Sequence, residues 1–238
     1  MSSNRNDHFD FDDFEKGLML AGYLTPNSIS EITQRDLLED FEKELEKQKS
    51  KLFFKRSVLA AEITSQLYHE VTFGHIKLQK LLYLCENISK VSIGDNYTKQ
   101  AAGPYDRKFM HSIDLSFENQ KWFKIKKTIS GNFTSFIYEP SVNFGKHQSY
   151  FEKYYARYND RFQWLIKTFG KEKTDKVELV ATLFACWKEL IEKKIEISEE
   201  NLISLFYNWS ERKQQFSRSR VLKEIEWMKQ NHLTPSDI

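Results

Sequence analysis

The sequence predicts a mainly α protein (α+β), with a helical domain carrying one antiparallel β-hairpin and a C-terminal helical bundle packed on it. Three observations lead there. Prolines number four and glycines eight in 238 residues, with 29% charged and 40% hydrophobic residues, a globular and helix-rich composition. Apolar residues recur at three- and four-residue spacing along most of the chain. A single stretch, Lys121–Pro140, is instead rich in β-forming side chains. The expected division is an acidic helical leader over 1–52, a helical domain with the hairpin over 53–144, and the bundle over 145–238.

The leader carries twelve acids against four bases in residues 1–46, so a net charge of +2 conceals −8 there and +10 in the remainder. Such polarity suggests self-association or a partner surface. Phe9, Phe14 and Leu18 mark a short amphipathic segment, closed by turn residues Gly22, Pro26 and Asn27. Thr33 is an expected N-cap. Leu38, Phe41, Leu45 and Leu52 then form a narrow stripe, so a helix over 33–52 could join two copies of the chain. Phe53–Glu70 is expected as a separate helix.

The stretch "GHIKLQKLLYLCENIS" follows, with Leu78, Leu81, Leu82, Cys85 and Ile88 on one side and Tyr83 and Leu84 widening the face. A helix apolar over most of its circumference belongs at the centre of the fold. Pro104 is expected in the first turn of the next helix, with Asp106 just inside it and Tyr105, Phe109, Ile113 and Phe117 as its buried stripe. Ala101, Ala102 and Gly103 allow another backbone to come close. In Lys121–Pro140 the turn signal Ser130–Asn132 divides two strands. Helices are then expected over Tyr150–Phe169, Asp175–Lys194, Ser198–Gln215 and Arg218–Asn231, with Thr174 and Ser198 as starts and Gly170 as a stop. Their tryptophans, Trp164, Trp187, Trp209 and Trp227, are expected to share a core.

The chemistry-bearing motifs are few. The six histidines are scattered, and His69 and His75, which flank a turn, read as surface or interface groups. "DFDDFE" at Asp10–Glu15 lacks the glycine and distal Glu of a calcium loop. "EKK" at Glu192–Lys194 resembles a nuclease fragment but ends a predicted helix. No glycine-rich phosphate loop or G-x-S-x-G is found. The expectation is therefore a non-enzyme with no cofactor and no metal. Cys85 and Cys186 lie in apolar patterns, as reduced thiols of a cytoplasmic protein do. No apolar run approaches the length of a membrane span, and the N-terminus does not read as a secretory signal.

Basic residues cluster at Lys47–Arg56, at Lys121, Lys124, Lys126 and Lys127, and at Arg212–Lys223. From Gly74 the order is helix, turn, helix, hairpin, as in a winged helix-turn-helix. DNA is thus the alternative partner, with Arg107, Lys108 and His111 facing bases and the hairpin lysines on phosphates. The roughly twelve-residue turn is long for that arrangement.

Lys77, Leu78, Gln79, Lys80, Leu81, Leu82 and Tyr83, with Gly103 and Pro104 some twenty residues on, resemble the "KLQKLLY" helix and Gly-Pro pair of the Panacea antitoxin domain family. The resemblance covers roughly Phe73–Phe117, under a quarter of the chain. "FFKRSVLAAEI" is similar to tail segments of some type I restriction specificity subunits. The resemblance implies a bacterial protein that binds a toxin partner or a restriction-system subunit. It makes Leu78, Leu81, Leu82, Tyr83, Gly103 and Pro104 structural, and leaves Lys77, Lys80, Arg107, Lys108 and His111 as candidate partner contacts.

Overall fold

The computed structural model describes residues 34–89, 97–130 and 133–235. The expectations for residues before Gln34, and for Gly131 and Asn132 of the hairpin turn, lie outside the described residues. The order is α1 (Gln34–Leu67), α2 (His75–Ser89), β1 (Thr98–Gln100), β2 (Gly103–Tyr105), α3 (Arg107–Asn119), β3 (Phe123–Ser130), β4 (Phe133–Pro140), α4 (Gln148–Tyr155), α5 (Asn159–Gly170), α6 (Thr174–Glu192), α7 (Glu199–Tyr207) and α8 (Arg218–Gln230). The protein is mainly α with an antiparallel hairpin, as its composition and periodicity predict. The chain divides into two compact units, Met1–Lys51 and Leu52–Ile238. In the first, Phe41 and Leu45 are exposed.

Two expected helices, 33–52 and 53–70, are one. Nothing between Lys51 and Phe53 breaks a helix: there is no Gly, no Pro and no capping side chain. The break comes only after Leu67.

In the larger unit α2 packs against α6. Both are apolar around most of their circumference. Leu78, Leu81, Leu82, Leu84 and Cys85 on α2 are fully buried, as are Val177, Leu179, Val180, Leu183 and Cys186 on α6. Burial pushes both thiols up, that of Cys186 to about 12, so neither is a reactive thiolate. Helices α7 and α8 close the far side of α6. Ser198 caps α7 as expected, its hydroxyl accepting from the Asn201 amide. Thr174 does not cap α6: Lys173 holds that position, and the Thr174 hydroxyl donates to the carbonyl of Thr72 at 3.1 Å.

The long connection between α2 and α3 contains a short ladder, β1–β2, in which Lys99 faces Pro104 and Gln100 faces Gly103. Pro104 is therefore in a strand and not in a helix. Helix α3 begins at Arg107, and Asp106 is its N-cap, in extended conformation, accepting from the Phe109 amide at 2.9 Å. Phe109, Ile113 and Phe117 form the buried stripe as expected, while Tyr105 lies outside the helix. The hairpin pairs Phe123 with Pro140 through Ser130 with Phe133.

The four tryptophans expected to share a core all join one cluster, but three of them only at its edge. Of the four residues only Trp187 is buried. Trp164 and Trp227 stack with centroids 6.2 Å apart, and Trp209 lies beyond the end of α7, where its indole N–H donates to the Gln100 carbonyl at 2.8 Å. The fifth, Trp122, is 2% exposed beside Phe54 and Phe117.

Candidate functional site

The motif residues on α2 are buried throughout, including its two lysines. Leu78, Leu81, Leu82 and Tyr83 are core. Lys77 and Lys80, expected as partner contacts, are fully buried. Lys77 Nζ donates to the carbonyls of Gly170 (2.9 Å) and Glu172 (2.5 Å) and to the Thr72 hydroxyl (2.6 Å). These carbonyls belong to the end of α5 and the turn after it, where helix carbonyls lack partners of their own and a cation is favoured by the dipole. Burial lowers the Lys77 pKa.

Lys80 Nζ donates to the Pro104 carbonyl at 2.5 Å. Burial and the nearby Lys213 ammonium push its pKa down to about 7, with Glu178 opposing and Arg212 adding to the shift. Lys213 and Glu178 form a buried ion pair at 2.7 Å, with Arg212 on the other carboxylate oxygen at 3.1 Å. Gly103, at φ +100°, sits in the same cluster: a Cβ there would lie 2.5 Å from Thr182 Oγ1. The Gly-Pro pair thus locks a strand onto α2 and α6, a close approach that only glycine permits.

A second buried network joins α1 to α2 and to the N-cap of α3. The Arg56 guanidinium donates to Glu86 at 2.8 Å, lies 3.3 Å from the Phe109 ring centroid and 3.7 Å from Asp106. The Tyr97 hydroxyl donates to Glu86 at 2.7 Å. Burial raises the Glu86 pKa while Arg56 opposes it.

Four of the remaining candidates come together on the opposite side of α3. A groove of about 610 Å³ lies between α3 and the hairpin, and Arg107, Lys108, His111 and Lys127 all line it. Its apolar surfaces are supplied by Met110, Leu115, Ile125 and Phe136, and Tyr105 borders it. At one wall His75 Nε2 meets Asp114 at 2.9 Å, and its ring stacks on Phe136 at 3.4 Å and 9°. His75, expected as a surface or interface group, is a largely covered side chain at the groove wall, in hydrogen-bond contact with Asp114. Burial raises the Tyr138 and Tyr105 pKa values, with the Asp114 carboxylate contributing to both.

The hairpin lysines do not share a surface. Strand alternation puts Lys127 on the groove side with Ile125, and Lys124 and Lys126 on the other. Lys126 is tied to Glu139 at 2.6 Å, and Lys121 precedes the strand at φ 57°. The four do not make one phosphate-tracking wing.

Sequence reading identified the groove's exposed cations but not its wall. His75 and Asp114 are 39 positions apart, and Phe136 is on a different element from both, so no local spacing signals them. Among the described residues there is no group of three or more potential metal ligands, and no helix is long and apolar enough to cross a membrane. No family model matches the chain, and no curated protein matches it.

Proposed function

We propose that this chain is a non-enzymatic protein-interaction module: an antitoxin-like protein that neutralises a partner toxin, or an accessory protein of a bacterial restriction-modification locus. The observation that carries the reading is the groove between α3 and the hairpin, where an apolar floor lies beneath Arg107, Lys108, His111 and Lys127. A concave apolar surface with a few charged groups at its edge is what recognition of another chain requires. The likeness of Lys77–Tyr83 and Gly103-Pro104 to the Panacea antitoxin domain supports the antitoxin form of the proposal. With Lys77 and Lys80 inside the core, those residues hold the fold, and the contacts fall to the outer face of α3. Self-association through residues 33–52 belongs to the same proposal. DNA binding of winged-helix type is the alternative, which the divided faces of the hairpin lysines favour less.

The test is capture of the tagged full chain from its native cells with nuclease present, followed by mass spectrometry. A stoichiometric protein partner that survives nuclease is the expected result. Loss of every partner on nuclease treatment would sink the reading in favour of DNA.

A further inference from the structure

We propose that the groove between α3 and the hairpin takes an acidic segment of the partner protein, seating one large apolar side chain on its floor; this rests on the interaction reading and deepens it. The first argument is electrostatic. Arg107, Lys108 and Lys127 are exposed at the groove and form no ion pair among the described residues, whereas Asp114 is in hydrogen-bond contact with His75. Glu118 is the only other carboxylate lining the groove. Three exposed cations against two carboxylates, Asp114 and Glu118, leave a positive excess along the groove.

The second argument is where two of those cations sit. Arg107 and Lys108 occupy the first turn of α3, which has no acidic residue. The helix dipole is positive there, so cations at that end work against helix stability. Asp106 offsets this in part, but its carboxylate is buried, engaged with the Phe109 amide and close to Arg56. A local electrostatic conflict retained on a groove is the pattern expected of a surface awaiting an anion.

Shape and chemistry then select a polypeptide. A volume of about 610 Å³ lies within the range of clefts that take drug-sized ligands, room for one large side chain and the chain flanking it. The floor presents aliphatic Leu115 and Ile125 beside a buried Met110, and one ring of the wall, Phe136, is already covered by His75. Single-stranded nucleic acid prefers exposed aromatic faces along a continuous basic track, and Lys124 and Lys126 lie on the other face of the hairpin. An acidic segment with one apolar anchor satisfies both the rim and the floor.

The test selects randomised 12-residue peptides displayed on phage against the full chain. Enriched peptides are then measured by fluorescence anisotropy, beside a labelled oligonucleotide of equal length. The expected result is enrichment of acidic sequences bearing a large apolar residue. Their affinity should fall roughly tenfold or more in the double variant Arg107→Glu/Lys127→Glu and with rising salt. Glu118→Lys should tighten the same peptides a fewfold. All three positions are exposed, and an unchanged melting temperature checks the fold of each variant. No enrichment, enrichment without acidic bias, affinity indifferent to the double variant, or a better-bound oligonucleotide would each overturn the inference. If a nuclease-resistant cellular partner still binds the double variant, the groove assignment falls while the interaction reading stands. If no such partner exists, the reading itself falls.

Discussion

Replacing Lys80 by Met removes a buried amine while keeping most of the side chain's length and apolar packing. In the folded protein the Lys80 pKa is pushed from 10.5 down to about 7. The unfolded chain therefore holds a proton between pH 7 and 10.5 that the folded chain has released. Stability consequently rises with pH across that window, and below pH 7, where both states are protonated, the whole burial cost is present. At 1.36 kcal/mol per pH unit, wild type should gain about 2–3 kcal/mol relative to Lys80→Met between pH 6 and 9. Lost donation to the Pro104 carbonyl adds a pH-independent cost to the variant of about 1–2 kcal/mol. The variant should thus exceed wild type at pH 6, and that advantage should shrink by about 2–3 kcal/mol by pH 9. The charged groups around Lys80 are Lys213, Glu178 and Arg212, and the Lys213 pKa is itself lowered by burial. Comparing the two proteins rather than reading one curve removes most of their contribution. The assay is urea unfolding followed by tryptophan fluorescence at pH steps from 6 to 9. Parallel curves for the two proteins would refute the placement of a neutralisable amine at the Pro104 carbonyl.

Gly103→Ala should destabilise by about 2–4 kcal/mol, because a Cβ there meets Thr182 Oγ1 at 2.5 Å and the backbone is at φ +100°. Adding Thr182→Ala should recover the steric part and leave the backbone part, and a thermal shift indistinguishable from wild type in the single variant would contradict the close approach. Lys77→Met should cost about 2–4 kcal/mol by freeing the carbonyls of Gly170 and Glu172. Amide exchange should speed up first around residues 167–173, and a uniform change across the chain would argue against a local cap.

What the sequence determined by itself is set by periods of two and four residues. The helical class, the buried faces of α2 and α6, the hairpin within Lys121–Pro140, the Ser198 cap and the stop at Gly170 all follow from neighbours within one turn or one strand pair. The exposed cations Arg107, Lys108 and Lys127 were legible for the same reason, since helix and strand phase places them. The role of Lys77 and Lys80 was not legible. Polar residues in an amphipathic pattern read as solvated, and only the arrival of the α5 carbonyls, over 90 positions away, and of Pro104, 24 positions away, makes them buried donors. The pairing of His75 with Asp114 and the division of the hairpin lysines between two faces likewise depend on how α3 lies against β3 and β4. Local spacing records which face of an element is apolar. It carries no record of which distant backbone will present a bare carbonyl or a carboxylate to that face, and at those junctions the tertiary structure alone decides whether a charge is a cap, a core ion pair or a binding group.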